Sequence, residues 1–272
     1  MSVRSLCLGI AVLAAIPPWT QSLTAAVPGG IRAVTRPSAD ITLSFVQPGR
    51  IVDLPFKEGD AIAVDQVLAR QDDAAEQILL AQLKAQAEDL IQIQAAEASL
   101  EQKKVDLAKL EKAAANNAAT SLEVEHARLD VTIAGLSLAL ARFEHEQAGR
   151  KYEEHEVRVK NMRLKSPING RIERVDIEVG ESVNALADAI RVVQIDPLWI
   201  DVPAPLQEAV HVHPGMVARI RAVESGADSD ITEGRVIFVG AVADAASGTL
   251  RVRIEAPNKS NRPAGEQVLV DF

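Results

Sequence analysis

The spacing of apolar positions changes twice along the chain. Up to residue 73 they come in short runs cut by Gly, Pro and Asp, which predicts strands at 41–46, 50–54 and 67–69. From Asp72 to Met162 the pattern is helical. No proline occurs between Pro55 and Pro167, and Ala, Gln, Glu, Leu and Lys, which cost a helix least, dominate. Leu79, Leu83, Ala87, Leu90, Leu100, Leu107, Leu110 and Ala114 recur at steps of three, four and seven, apart from a ten-residue gap after Leu90. Leu122, Leu129, Ile133, Leu136, Leu140 and Phe143 repeat the spacing. One narrow stripe per helix predicts two helices zipped together as a coiled-coil hairpin. The stripe lapses between Ala113 and Leu122, where the turn is expected, with Thr120 or Ser121 as N-cap of the returning helix. Two helices of about 40 residues give an arm on the order of 60 Å long. Beyond Pro197, runs at 199–202, 216–222, 231–239, 250–254 and 267–270, with a short helix at 206–211, predict a small antiparallel β-barrel.

A repeat brackets the helical stretch. GRIVDLPFKEGDAI begins at Gly49 and GRIERVDIEVGESV at Gly170, aligned without a gap. Gly49, Gly59, Gly170 and Gly180 are read as turn glycines, since a turn that demands positive φ excludes most side chains. An internal repeat split by a hairpin predicts two half-domains that pair into one flattened β-sandwich while the arm projects outward. The expected organisation is an extended lead-in over 27–40, a sandwich of 41–73 plus 164–196, a hairpin over 74–163 and a barrel over 197–272.

The charge of -9 and pI near 5.2 argue against a grip on nucleic acid, which needs a basic face. Arg4, the apolar run from Leu6 to Ile16 and the small residues Thr24, Ala25 and Ala26 form a leader pattern over 1–26, too short for a comfortable membrane span. An uncleaved anchor is its alternative. Cys7 is the only cysteine and falls inside that leader. Enzyme chemistry finds no foothold: Ser247, Gly248 and Thr249 have no histidine and acid at a recognisable spacing. His211 with His213, and the Glu and His runs at 144–146 and 153–156, read as solvated charge rather than metal ligands, because neighbours on a helix point to different sides. No metal and no cofactor is expected. Asn116, Asn117, Ala118 and Thr120 place polar and small side chains at the far end of a stiff arm, the best position for docking.

The split motif, Leu164, Lys165, Ser166 and Pro167 leading into Gly170, the Ala-rich hairpin, Asp196, Pro197, Leu198 and Trp199 opening the barrel, Gly248 and Thr249, and the closing Pro263, Ala264 and Gly265 together resemble the membrane fusion proteins. These are periplasmic adaptor subunits of tripartite efflux systems, here closest in kind to the resistance-nodulation-division (RND) type. The resemblance implies an α+β multidomain chain: a split lipoyl-like β-sandwich interrupted by the hairpin, then the barrel. It implies an exported, periplasmic, inner-membrane-associated protein without enzyme activity, assembled as a ring, commonly of six. Its partners would be an inner-membrane transporter of RND type and an outer-membrane channel. The channel-contact pattern of that branch falls on Lys109, Ala113 and Thr120; the basic residue and hydroxyl are kept in kind and the leucine is not. A membrane-proximal domain, often present in the family, is not expected in a chain that stops at Phe272. An adaptor for an ATP-driven exporter is the alternative within the class. From other classes stand a lipoyl or biotinyl carrier subunit, disfavoured because no lysine occupies the turn between the halves, and a free coiled-coil scaffold.

Overall fold

The computed structural model describes residues 29–223 and 232–272. The leader over 1–26, residues 27 and 28, Gly226 and Ile231 lie outside the described residues. The chain opens with β1 (Ile31–Ser44), β2 (Gly49–Asp53), β3 (Ala61–Ile62) and β4 (Val67–Gln71). Helices α1 (Ala74–Glu88), α2 (Ile91–Ala115) and α3 (Ser121–Lys160) follow. Then come β5 (Arg163–Lys165), β6 (Gly170–Val175), β7 (Ser182–Val183) and β8 (Asp188–Pro205). The chain ends with α4 (Leu206–Ala209), β9 (Val217–Ala222), β10 (Thr232–Val239), β11 (Thr249–Ala256) and β12 (Gln267–Asp271).

The order β1-β12-β9-β10-β11-β8, closed by β1 pairing with β8, is a six-stranded antiparallel barrel. Closure leaves no free edge. Along β11, Leu250, Val252, Ile254 and Ala256 turn inward while Arg251 and Glu255 face out, the alternation that a half-buried strand requires. The sandwich is built from β6 and β3 continuing beyond β8, faced by the sheet β5-β4-β2-β7. Each domain has its own apolar core, one around Val202, Val252 and Ile254 and the other around Phe45, Ile51, Leu68 and Ile190.

Around the barrel, two strands are longer than the sequence pattern suggests. The lead-in is a strand: β1 pairs with β12 through Ile31 to Val34 and with β8 from Val34 to Ser44. The run at 199–202 is the second half of an 18-residue strand that begins at Asp188. Pro197 reads as a boundary, yet the β1 register slips between Pro37 and Ala39, leaving Ile195 to Pro197 outside that ladder. A proline there removes no ladder hydrogen bond. Asn258, 3% exposed, holds this stretch of β8 from the loop that follows β11. Its Nδ2 donates to the carbonyls of Ile195 and Arg262, its Oδ1 accepts from the Arg262 N–H, and its own N–H donates to Asp196 Oδ1, all at 2.9 Å.

The two half-motifs grip each other reciprocally. Ile51 N–H donates to Glu181 O at 2.8 Å and its carbonyl accepts from Gly180 N–H at 2.8 Å. In the mirror arrangement Ile172 N–H donates to Asp60 O at 3.0 Å and accepts from Gly59 N–H at 2.8 Å. Gly59 and Gly180 lie at φ +88 and +93, as turn glycines should. Gly49 and Gly170 are corrected: neither has positive φ, and each begins a strand. What they require is closeness. A Cβ on Gly49 would meet the Gln71 side chain at 2.8 Å, and one on Gly170 would stand 2.2 Å from the Val193 carbonyl oxygen.

On the barrel wall, Asp201 accepts from Arg253 Nε at 2.7 Å and Nη2 at 3.0 Å, and Arg253 stacks 4.5 Å from the Trp199 ring. The Arg253 hydrogen bonds hold the Asp201 carboxyl below the usual range, and Arg191 does the same for Asp40. A depressed folded value means stability fully present above the unfolded pKa, near 3.9, and lost as pH falls through the folded value. Urea unfolding should show the midpoint falling steeply below about pH 4 in the wild type and less steeply in Asp201→Asn. At pH 7 that variant should be less stable by roughly 2 kcal/mol.

Candidate functional site

The outbound side of the arm is two helices rather than one. Asp89 takes an extended ψ of 118°, and its Oδ1 accepts from the Ile91 N–H at 2.8 Å. An Asx contact of this kind competes with the helical ladder, so the expected unbroken helix of about 40 residues divides at 89–90. The return helix α3 is continuous over 40 residues.

The seam on α3 is also not the one the bulky residues mark. Its buried positions are Ala127, Ala134, Leu138, Ala141, His155 and Val159. Leu122, Leu129, Ile133, Leu136, Leu140 and Phe143 are 53–67% exposed. The two stripes have the same three-four spacing, displaced by two residues, so periodicity alone admits both. Alanines win the seam because they let the helix axes approach, and the large side chains are left on the opposite face. On the outbound side, Leu83 and Ala87 in α1 and Leu100, Leu107, Leu110 and Ala114 in α2 are half-buried as expected, whereas Leu79 and Leu90 are exposed.

Register along the arm is fixed by charge pairs. Glu97 meets Arg142 at 2.7 Å, Lys103 meets Asp130 at 2.8 Å, and Glu111 meets Arg128 at 3.0 Å, successive outbound positions facing receding return positions. Hydrogen bonding to Asp130 raises the Lys103 pKa. At the base, His155 Nε2 lies 3.0 Å from Glu76 Oε2, tying α3 to α1.

At the tip, Ala113, Asn116, Asn117, Ala118 and Thr120 come together within one tight turn, with Lys109 one helical turn below on α2. The Ala113 carbonyl accepts from Asn116 N–H at 3.1 Å and Ala118 N–H at 2.8 Å. Part of the tip backbone is thus already engaged within the turn. Asn117 closes the turn at φ +56, a left-handed conformation that asparagine tolerates well. Thr120 is the N-cap: its Oγ1 accepts from Glu123 N–H at 3.3 Å and its N–H donates to Glu123 Oε2 at 2.7 Å, a full capping box. Those contacts hold the Glu123 carboxyl below its usual range. Asn116 Nδ2 donates to Lys112 O at 3.0 Å, and Lys109 lies 3.8 Å from Asp106. Among the described residues only the Asn117 side-chain amide, of these polar groups, has no partner within the chain, its backbone N–H donating to the Ala114 carbonyl at 3.0 Å. Also among the described residues, no cluster of three His, Cys, Asp or Glu is placed to hold a metal, and no helix is long and apolar enough to cross a membrane.

Comparison with known proteins places both β domains. Residues 44–196 match the family model for the RND MFP (membrane fusion protein) barrel-sandwich hybrid domain, and residues 197–264 match the CusB-like β-barrel domain. Multidrug resistance protein MdtA of Proteus mirabilis is 24% identical over 253 residues, 89% of this chain and 56% of that protein. The chain therefore spans little more than half the length of that curated relative. MacA from Actinobacillus actinomycetemcomitans superposes with a TM-score of 0.75 at 15% identity, over 89% of this chain and 76% of that one. The membrane fusion protein Spr0693 from Streptococcus pneumoniae R6 gives 0.61 at 12% identity, over 89% and 96%. These likenesses are of fold.

Proposed function

Because the chain belongs to the RND membrane fusion protein family, we propose that it is a periplasmic, inner-membrane-associated adaptor that assembles as a ring and joins an RND-type efflux transporter to an outer-membrane channel. It performs no chemistry; the transporter supplies the energy. The observation that carries this reading is the arm: a stiff hairpin whose far end presents an unengaged Asn117 amide on a capped, small-residue turn. End-on docking by such a tip is weak for one copy and strong for a ring, because each further arm binds intramolecularly. The exposed leucine face of α3 supports side-by-side packing of arms, since an apolar stripe of this length rarely faces water unpartnered. Lys109, Ala113, Asn116, Asn117, Ala118 and Thr120 are the proposed channel-contact set, and the reciprocal turns at Gly59 and Gly180 hold the sandwich from which the arm projects.

The test uses Ala118→Cys labelled with a photo-crosslinker in living cells. Capture of an outer-membrane channel protein supports the adaptor reading; self-crosslinks alone, in cells that also make the transporter, overturn tip docking in favour of a scaffold. Asn117→Arg should impair export severalfold at unchanged protein level, measured as cargo retained in the cell.

A further inference from the structure

We infer that the junction between sandwich and barrel is a binding site for an amphipathic anion, a hydrocarbon body ending in a carboxylate or phosphate. A cleft of about 620 Å³ opens there, within the roughly 300–1,000 Å³ that small-molecule sites occupy. Its floor is the outer face of β8, where Val193 and Ile195 are joined by Pro37 of β1 and Pro263 of the loop before β12. Val193 is only 8% exposed, yet it belongs to neither apolar core, which take its neighbour Val192 instead. Its side of β8 faces the recess instead, so the bottom of the cleft is apolar.

The rim is cationic. Arg36, Arg171 and Arg191 face two carboxylates, Asp40 and Glu173, a residual charge of +1 among the lining residues. Asp40 is fully used by Arg191, which donates from Nε at 2.8 Å and Nη2 at 2.6 Å. Arg171 makes one long hydrogen bond, Nη1 to Gly59 O at 3.4 Å, and no ion pair with a described carboxylate. The carboxylate beside Arg36, Asp201, stands 3.9 Å away and is already held in two hydrogen bonds by Arg253. Two guanidiniums, on strands flanking β8 from either side, therefore keep most of their donors free above an apolar floor. The planar fork of arginine matches a carboxylate or phosphate, and only a hydrocarbon gains from the floor. This inference stands whether or not the chain forms a ring, and it assigns the chain a ligand that the adaptor reading does not require.

The test is calorimetric titration of the full chain with dodecanoate, with dodecanol, dodecyltrimethylammonium and inorganic phosphate as comparisons. The expected result is one site for dodecanoate, at least tenfold weaker binding of dodecanol, and none of the cation. Arg36→Ala and Arg171→Ala, both at exposed side chains, should each weaken dodecanoate about tenfold and leave the circular dichroism spectrum unchanged. A photoreactive fatty acid should label β8, β6 or residues 261–265. Two sources share this chemistry. Flotation with phosphatidylglycerol vesicles that is lost in Arg171→Ala assigns the cleft to a lipid headgroup, and dodecanoate binding without flotation assigns it to a free amphiphile. Equal affinity for dodecanoate, dodecanol and the cation, labelling elsewhere, or full affinity in the Arg36→Ala, Arg171→Ala double variant overturns the proposal.

Discussion

Gly170→Ala should lower the free energy of unfolding by about 3 kcal/mol or more, read from urea denaturation, and Gly180→Ala by only about 1 kcal/mol. At Gly180 the new methyl meets open space, and the cost is confined to a positive φ. At Gly170 the Cβ arrives 2.2 Å from the Val193 carbonyl oxygen and 3.0 Å from its carbon, both backbone atoms of the neighbouring strand. Neither can step aside without parting β6 from β8 next to the Arg171 and Val193 pair. Gly49→Ala should fall between the two, because the atoms in its way belong to the end of the Gln71 side chain, although that side chain is fully buried. Equal losses at Gly170 and Gly180 would show that close approach is not what the residue is for.

That contrast shows what the sequence discloses and what it withholds. The repeat makes Gly49 and Gly170 conspicuous, and motif spacing suffices to pair the halves. Turn glycine and contact glycine are nonetheless the same letter, and only the position of a neighbouring carbonyl separates them. The arm behaves likewise. Its existence, its turn and its Thr120 cap are legible because helix composition and capping chemistry are local. The seam is not, because two stripes on α3 share one period and the choice depends on how closely another helix can approach. The cleft at the junction depends on contacts between residues far apart in sequence, on which spacing is silent.

Asn258→Ala is expected to cost about 3 kcal/mol and to release the wall of the cleft. The change removes three hydrogen bonds at a buried position and leaves the Ile195 carbonyl without its side-chain donor. Each such bond is worth roughly 1 kcal/mol, with more where a buried partner is orphaned. Asn258→Asp should be worse, since a carboxylate oxygen would face the carbonyls of Ile195 and Arg262 where the amide donates. Hydrogen exchange should report the local part of the effect as lost protection at Arg262, whose N–H is bonded to Asn258 Oδ1. A variant that unfolds at the wild-type urea concentration would remove Asn258 from the account of how the two β domains are joined.

The strands β1 and β8 run through both domains, from Ile31 to Ser44 and from Asp188 to Pro205. Barrel and sandwich are thus not beads on a linker that can swivel apart. A sideways pull on the arm becomes torque on the sandwich, and two antiparallel strands carry it across the junction along their lengths. Their hydrogen bonds, in two runs on either side of the register slip at Pro37, lie perpendicular to that direction and share the load rather than unzipping one at a time. A load on the arm would therefore reach the barrel through two continuous strands rather than through a linker.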